Sequence, residues 1–171
     1  MPLLPPGPDA VWPIRILGSV VDWAVVAIGA TLTTIVFCNV VMHAVGGDIA
    51  WTTELGELLM VWVTFLGTAA AARRGTHMTI TEFLDMLKPA GRQIADAAIQ
   101  LLCLTVLTLL TWYGIGIVRA GWGSVLTVLD WPMGTQYLAL PVGAGVTFVF
   151  VAYDLVLIVA GRTRDQRYGT T

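Results

Sequence analysis

Residues 51–89 read WTTELGELLMVWVTFLGTAAAARRGTHMTITEFLDMLKP, and the fold follows from this stretch. From Leu55 to Ala72 it is apolar apart from Glu57 and two threonines, with Glu54 and Glu57 at its start and Arg73 and Arg74 at its close. Nineteen residues, 54–72, rise about 28 Å as a helix, close to a hydrocarbon core of about 30 Å. Acids suit the positive end of a helix dipole, and Thr52 or Thr53 is expected to cap its free N–H groups. Arginines suit the other end and favour the cytoplasmic side. The spacing therefore predicts a membrane-spanning helix that enters from outside and ends inside.

Composition supports a membrane protein throughout. Hydrophobic residues make up 57% of the chain and charged residues 12%, against about 25% charged in soluble domains. The 171 residues are expected to form a single membrane domain. The net charge of −2 carries no basic patch for nucleic acid. Cys38 and Cys103 lie within apolar runs, which fits small apolar filler and no disulfide framework.

Outward from the opening stretch, three more spans are predicted. Residues 1–13 hold five of the chain's eight prolines and read as an extended cytoplasmic tail. They lack the basic start of a signal peptide, and the apolar run after them is too long for one, so it is expected to remain as a helix. Span one covers about 16–42, span two 54–72, span three 94–118 and span four 137–160, with a polar tail over 161–171. Pro141 is expected in the first turns of span four, tolerated there or kinking it. Between spans two and three, Thr79 and Glu82 fit a capping box, and Ile80, Phe83, Leu84 and Leu87 line one face. This segment is predicted to be a short amphipathic helix on the inner membrane surface, ended by Pro89. Trp122 and Trp131 are placed as interfacial anchors of an outer segment whose SVLTVL run dips into the interface or packs on a partner.

Charge sets the expected orientation. Eight of the nine basic residues fall on one side of this layout and Arg119 alone on the other. The positive-inside rule then puts both termini in the cytoplasm. The fold class is thus an all-α integral membrane protein of four transmembrane helices, N-in and C-in, with one interfacial helix.

Chemistry is harder to find. Asp22, Asp96 and Asp154 lie within spans, where acids are functional candidates, but all three sit toward the cytoplasmic ends. Pairing or capping is the expected role, with the surface arginines in reach of them; Asp96 is placed in the first turn of its helix. His43 and His77 fall on opposite sides of the membrane, so they cannot share one haem. No G-x-S-x-G serine and no phosphate loop is present. Glu54 and Glu57 share a helix face, and helix N-terminal stabilisation accounts for them without a cation. Packing signals are clearer: Gly67 with Ala71 and Ala139 with Gly143 are small-x-x-x-small pairs. Gly67 is expected to lie against another helix, in this chain or in a partner.

The residues of the opening stretch carry a specific resemblance. Trp51, Glu54, Leu55, Trp62, Phe65, Leu66, Gly67, Arg73 or Arg74, Gly75 and His77 resemble the signature of the small (Q) membrane subunit of TRAP, the tripartite ATP-independent periplasmic transporters. A second match, LDWPMGTQYLALPVG, brings Trp131, Tyr137, Pro141 and Gly143. Thr53 stands where the family often has a second acid, and Met42 with His43 where it often has an arginine and an aromatic residue. The resemblance implies a non-catalytic subunit of the bacterial inner membrane. Its partners would be a large (M) permease subunit and a periplasmic substrate-binding protein, besides the membrane lipids. It implies sodium-coupled uptake of an organic acid, with sodium in the large subunit and no cofactor in this chain. Interface candidates carried over are Trp51, Glu54, Glu57, Trp62, Gly67, Arg73, Arg74, His77, Pro141 and Gly143. The competing readings are a quinone- or haem-binding anchor of a redox complex and the small subunit of a tripartite tricarboxylate transporter.

Overall fold

The computed structural model describes residues 12–47, 49–74 and 89–161. Its regular structure is helical: α1 spans Trp12–Ala44, α2 Trp51–Arg73, α3 Pro89–Gly121, α4 Gly134–Tyr137 and α5 Ala139–Val159. Four segments are long and apolar enough to cross a membrane, namely α1, α2, 94–121 of α3, and α4 with α5. The expected interfacial helix after Arg74 lies outside the described residues, as does His77.

Helix ends differ from the sequence reading for local reasons. The first span starts four residues early, at Trp12. Pro89, expected as the end of the interfacial helix, opens α3, where its fixed φ and missing N–H suit a first helical position. Asp96 therefore lies two turns into α3, not in its first turn. Pro141 removes the donor that the Tyr137 carbonyl would otherwise receive, and the helix is interrupted there, between α4 and α5 at Leu138. The hydroxyls of Thr31, Thr33, Thr34, Thr64, Thr68, Thr105, Thr108, Thr111 and Thr147 each donate to the carbonyl four residues back. That satisfies each one inside its own helix, as a polar group away from water requires.

The helices pack in a row rather than a closed ring: α1 against α2, α2 against α5, and α5 against α3. Consecutive spans alternate in direction, so α2 and α5, second and fourth, run parallel at the centre. Phe65 of α2 lies on Gly143 of α5, where a Cβ would approach the Phe65 Cβ to 2.5 Å and its backbone to 3.1 Å. Only glycine permits that approach. The main apolar cluster joins three helices through Val21, Ala69, Ala70 and Phe150, with Ile14, Leu17, Val25 and Val146 around it. The outer helices stay bare: Phe37 on α1 is 68% exposed and Trp112 on α3 75%. Faces that apolar would be untenable in water and are ordinary in lipid or against a partner.

Candidate functional site: polar clasps at both ends of the helix row

The carboxylates Asp22, Asp154 and Glu54 are engaged toward the two ends of the helices, where they tie one element to another. At one end Asp22 of α1, 5% exposed, pairs with both arginines that close α2: Arg73 donates to Oδ2, and Arg74 Nη2 donates to Oδ1 at 3.0 Å. Gly18, one turn earlier, makes this possible, since any side chain there would collide with the Arg73 guanidinium. The pairing of Asp22 with surface arginines expected from depth alone is what the structure contains. Near the same end, Gln100 of α3 donates to Asp154 of α5, which is buried. Gln100 escaped the sequence reading because a single amide in an apolar helix carries no charge to flag it.

At the other end a carboxylate gathers a loop. The backbone N–H groups of Thr127, Val128 and Leu129 donate to Glu54 at 2.8–3.0 Å. These donors belong to the segment between α3 and α4, where Leu126 N–H donates to Trp131 at 2.8 Å and Met133 N–H to Ser124 at 2.8 Å. A bridge joins Val125 and Pro132, and Asp130 takes a left-handed φ of 53° to turn the chain. Leu126 is buried beneath this hairpin, while Val125, Val128, Trp122 and Trp131 face outward. Beside it, Trp62 Nε1 of α2 donates to the Thr135 carbonyl of α4 at 3.1 Å.

One expectation about this corner is corrected, and another, the acid in the first turn of α2, is kept and extended. Thr52 and Thr53 do not cap α2: its N-cap is Ala50 with no side-chain hydrogen bond, and Thr52 Oγ1 donates to the Ile49 carbonyl at 2.6 Å. Glu54, read as a helix-end stabiliser, receives N–H groups from more than seventy residues away. No residue-type signal marks such donors, because every non-proline residue owns one.

The other candidates separate into two groups. Trp62, Gly143, Arg73 and Arg74 make contacts within this chain, and Pro141 packs where Gly114 of α3 approaches. Trp51 and Glu57 are exposed. At Gly67 a Cβ would meet nothing within 4 Å. The helix expected against Gly67 is thus not one of the described helices of this chain. His43 stands exposed at the end of α1 opposite the Asp22 clasp.

Comparison with known proteins shows the family. The family described as tripartite ATP-independent periplasmic transporters, DctQ component, matches residues 32–161. The ectoine TRAP transporter small permease protein TeaB of Halomonas elongata is 28% identical over 152 residues, covering 85% of this chain and 79% of its own. A putative TRAP transporter small permease protein of Haemophilus influenzae is 31% identical over 70 residues, covering 40% and 44%. These matches give a redox-complex anchor no support.

Proposed function

The chain belongs to the DctQ-component family of tripartite ATP-independent periplasmic transporters, and on that premise we propose that it braces a large membrane permease subunit during solute uptake. It is a small, non-catalytic transporter subunit of the inner membrane, not an enzyme. In the proposed assembly the large subunit carries substrate and sodium, and a periplasmic binding protein delivers an organic acid. This chain contributes a rigid slab.

The observation that carries the reading is where the polar groups of the spans are used. Asp22 and Asp154 are held at one end and Glu54 at the other, each by groups of this chain. A carrier needs compensating groups at mid-depth for a charged solute, since an uncompensated buried charge costs several kcal/mol or more. Between the two ends the α2–α5 contact is Phe65 on Gly143, and the hydroxyls of Thr64, Thr68 and Thr147 are bonded within their own helices. The long bare faces of α1 and α3 offer the area a brace requires.

Proteoliposomes test it. With a sodium gradient, this chain alone is expected to take up no organic acid; adding the large subunit and the binding protein restores uptake. Ectoine, the solute in the name of the Halomonas relative, belongs in the same panel. Saturable uptake by the chain alone would show a carrier instead of a brace.

A further inference from the structure

The face of α1 turned away from the rest of the protein carries a groove of about 470 Å³ lined by Trp12, Arg15, Ile16, Ser19, Val20 and Trp23. Its opposite face is the packed one, with Gly18, Val21 and Asp22 buried against α2 and its neighbours. The lining residues recur at helical spacing and form one stripe. From Trp12 to Trp23 that stripe rises about 16 Å, close to the roughly 15 Å depth of one leaflet's hydrocarbon.

Charge distinguishes its mouth. Three arginines stand at this end of the α1–α2 pair, and two of them, Arg73 and Arg74, share the single carboxylate of Asp22. Arg15 is exposed and makes no ion pair among the described residues, and the first turn of α1 holds no acid. The Ser19 hydroxyl is already spent on the Arg15 carbonyl at 3.0 Å, so the guanidinium is the polar group left at the mouth. Below it the walls are apolar.

We infer that this groove binds an anionic phospholipid, the Arg15 guanidinium meeting the headgroup phosphate and an acyl chain lying along Ile16, Val20 and Trp23. A cation near one end of an apolar stripe that continues about 12 Å below it complements that molecule at both of its parts. A soluble anion would leave the channel unfilled, and an apolar peptide helix would leave the cation unmatched.

Native mass spectrometry of the purified full-length chain, with phosphatidylglycerol or phosphatidylcholine of the same acyl chains, tests the assignment. One phosphatidylglycerol is expected to be retained in preference to phosphatidylcholine. Arg15→Gln should lower that retention about five-fold, the weight of one basic side chain at an anionic surface, and Arg119→Gln should leave it unchanged. Val20→Trp fills the channel without touching the charge and should lower retention too. Both positions are exposed, and unchanged helicity by circular dichroism verifies that each variant folds. Equal retention of the two lipids, insensitivity to Arg15→Gln or to Val20→Trp, or displacement by inorganic phosphate would overturn the assignment. So would loss of the lipid from the complex copurified with the large subunit, because a protein helix would then own the groove.

Discussion

At Asp22 two guanidinium groups converge on one carboxylate, but the two contacts differ in weight. Arg73 is 12% exposed and Arg74 39%, so screening by water and headgroups takes most from the second. Asp22→Ala leaves Arg73 enclosed without its counter-charge, and removing one partner of a buried pair costs about 3 kcal/mol. The double variant Asp22→Ala with Arg73→Ala should recover a good part of that loss, because no stranded charge remains. Unfolding in detergent measures both; a double variant as unstable as the single one would mean that the aspartate matters through packing. Glu54 is a different kind of contact, carboxylate to backbone. Glu54→Gln keeps one acceptor oxygen and surrenders the other, so hydrogen exchange at Thr127, Val128 and Leu129 should quicken several-fold with the helices unaffected. Unchanged exchange there would show that the hairpin holds itself. Of these two clasps only the first was legible in sequence, since charge sign and depth along a helix place Asp22 near Arg73 and Arg74. The second joins a marked residue to unmarked backbone, and the intervening chain length carries no record of it.

Between elements, the decisive contact is α2 on α5. The sequence marked four helices because lipid demands long apolar runs, and those runs are visible in any order of packing. Which helices touch is not visible in this way, and small residues are the main clue. Ala139 and Gly143 led to a true close approach, with Ala139 1% exposed and Gly143 on the Phe65 backbone. Gly67 and Ala71 carry the same spacing, yet Gly67 meets nothing in this chain. The pattern identifies a surface fit for close packing without naming its occupant. The two glycines therefore separate in experiment. Gly143→Ala forces α2 and α5 apart and should cost about 1–3 kcal/mol, the usual range for overpacking. Gly67→Leu should leave the melting of the isolated chain nearly unchanged and reduce the yield of complex with the large subunit. If Gly67→Leu copurifies with the large subunit as well as the unaltered chain does, Gly67 faces lipid.

For the whole molecule, the row of helices has distinguishable ends, and the membrane decides which faces the cytoplasm. The Asp22 clasp holds Arg73 and Arg74 beside the start of α1 with Arg15, whereas the Glu54 end has Arg119 as its basic residue among the described ones. Pairing with Asp22 offsets one of the two charges of the arginine pair only after folding, because orientation is set while the spans insert and before α1 and α2 have packed. The uneven count of basic residues should thus prevail, and the Glu54 hairpin should face the periplasm. Single-cysteine labelling with an impermeant maleimide on spheroplasts reads this directly, once the exposed Cys38 and the partly buried Cys103 are replaced by alanine. Probes at Gly47, beside the start of α2, and at Gly123, in the hairpin segment, should react from outside. Gly91, in the first turn of α3, should react only after the membrane is opened. Labelling of Gly91 in intact spheroplasts would invert the molecule. The Asp22 clasp would then lie on the periplasmic side, and the hairpin held by Glu54 on the cytoplasmic side.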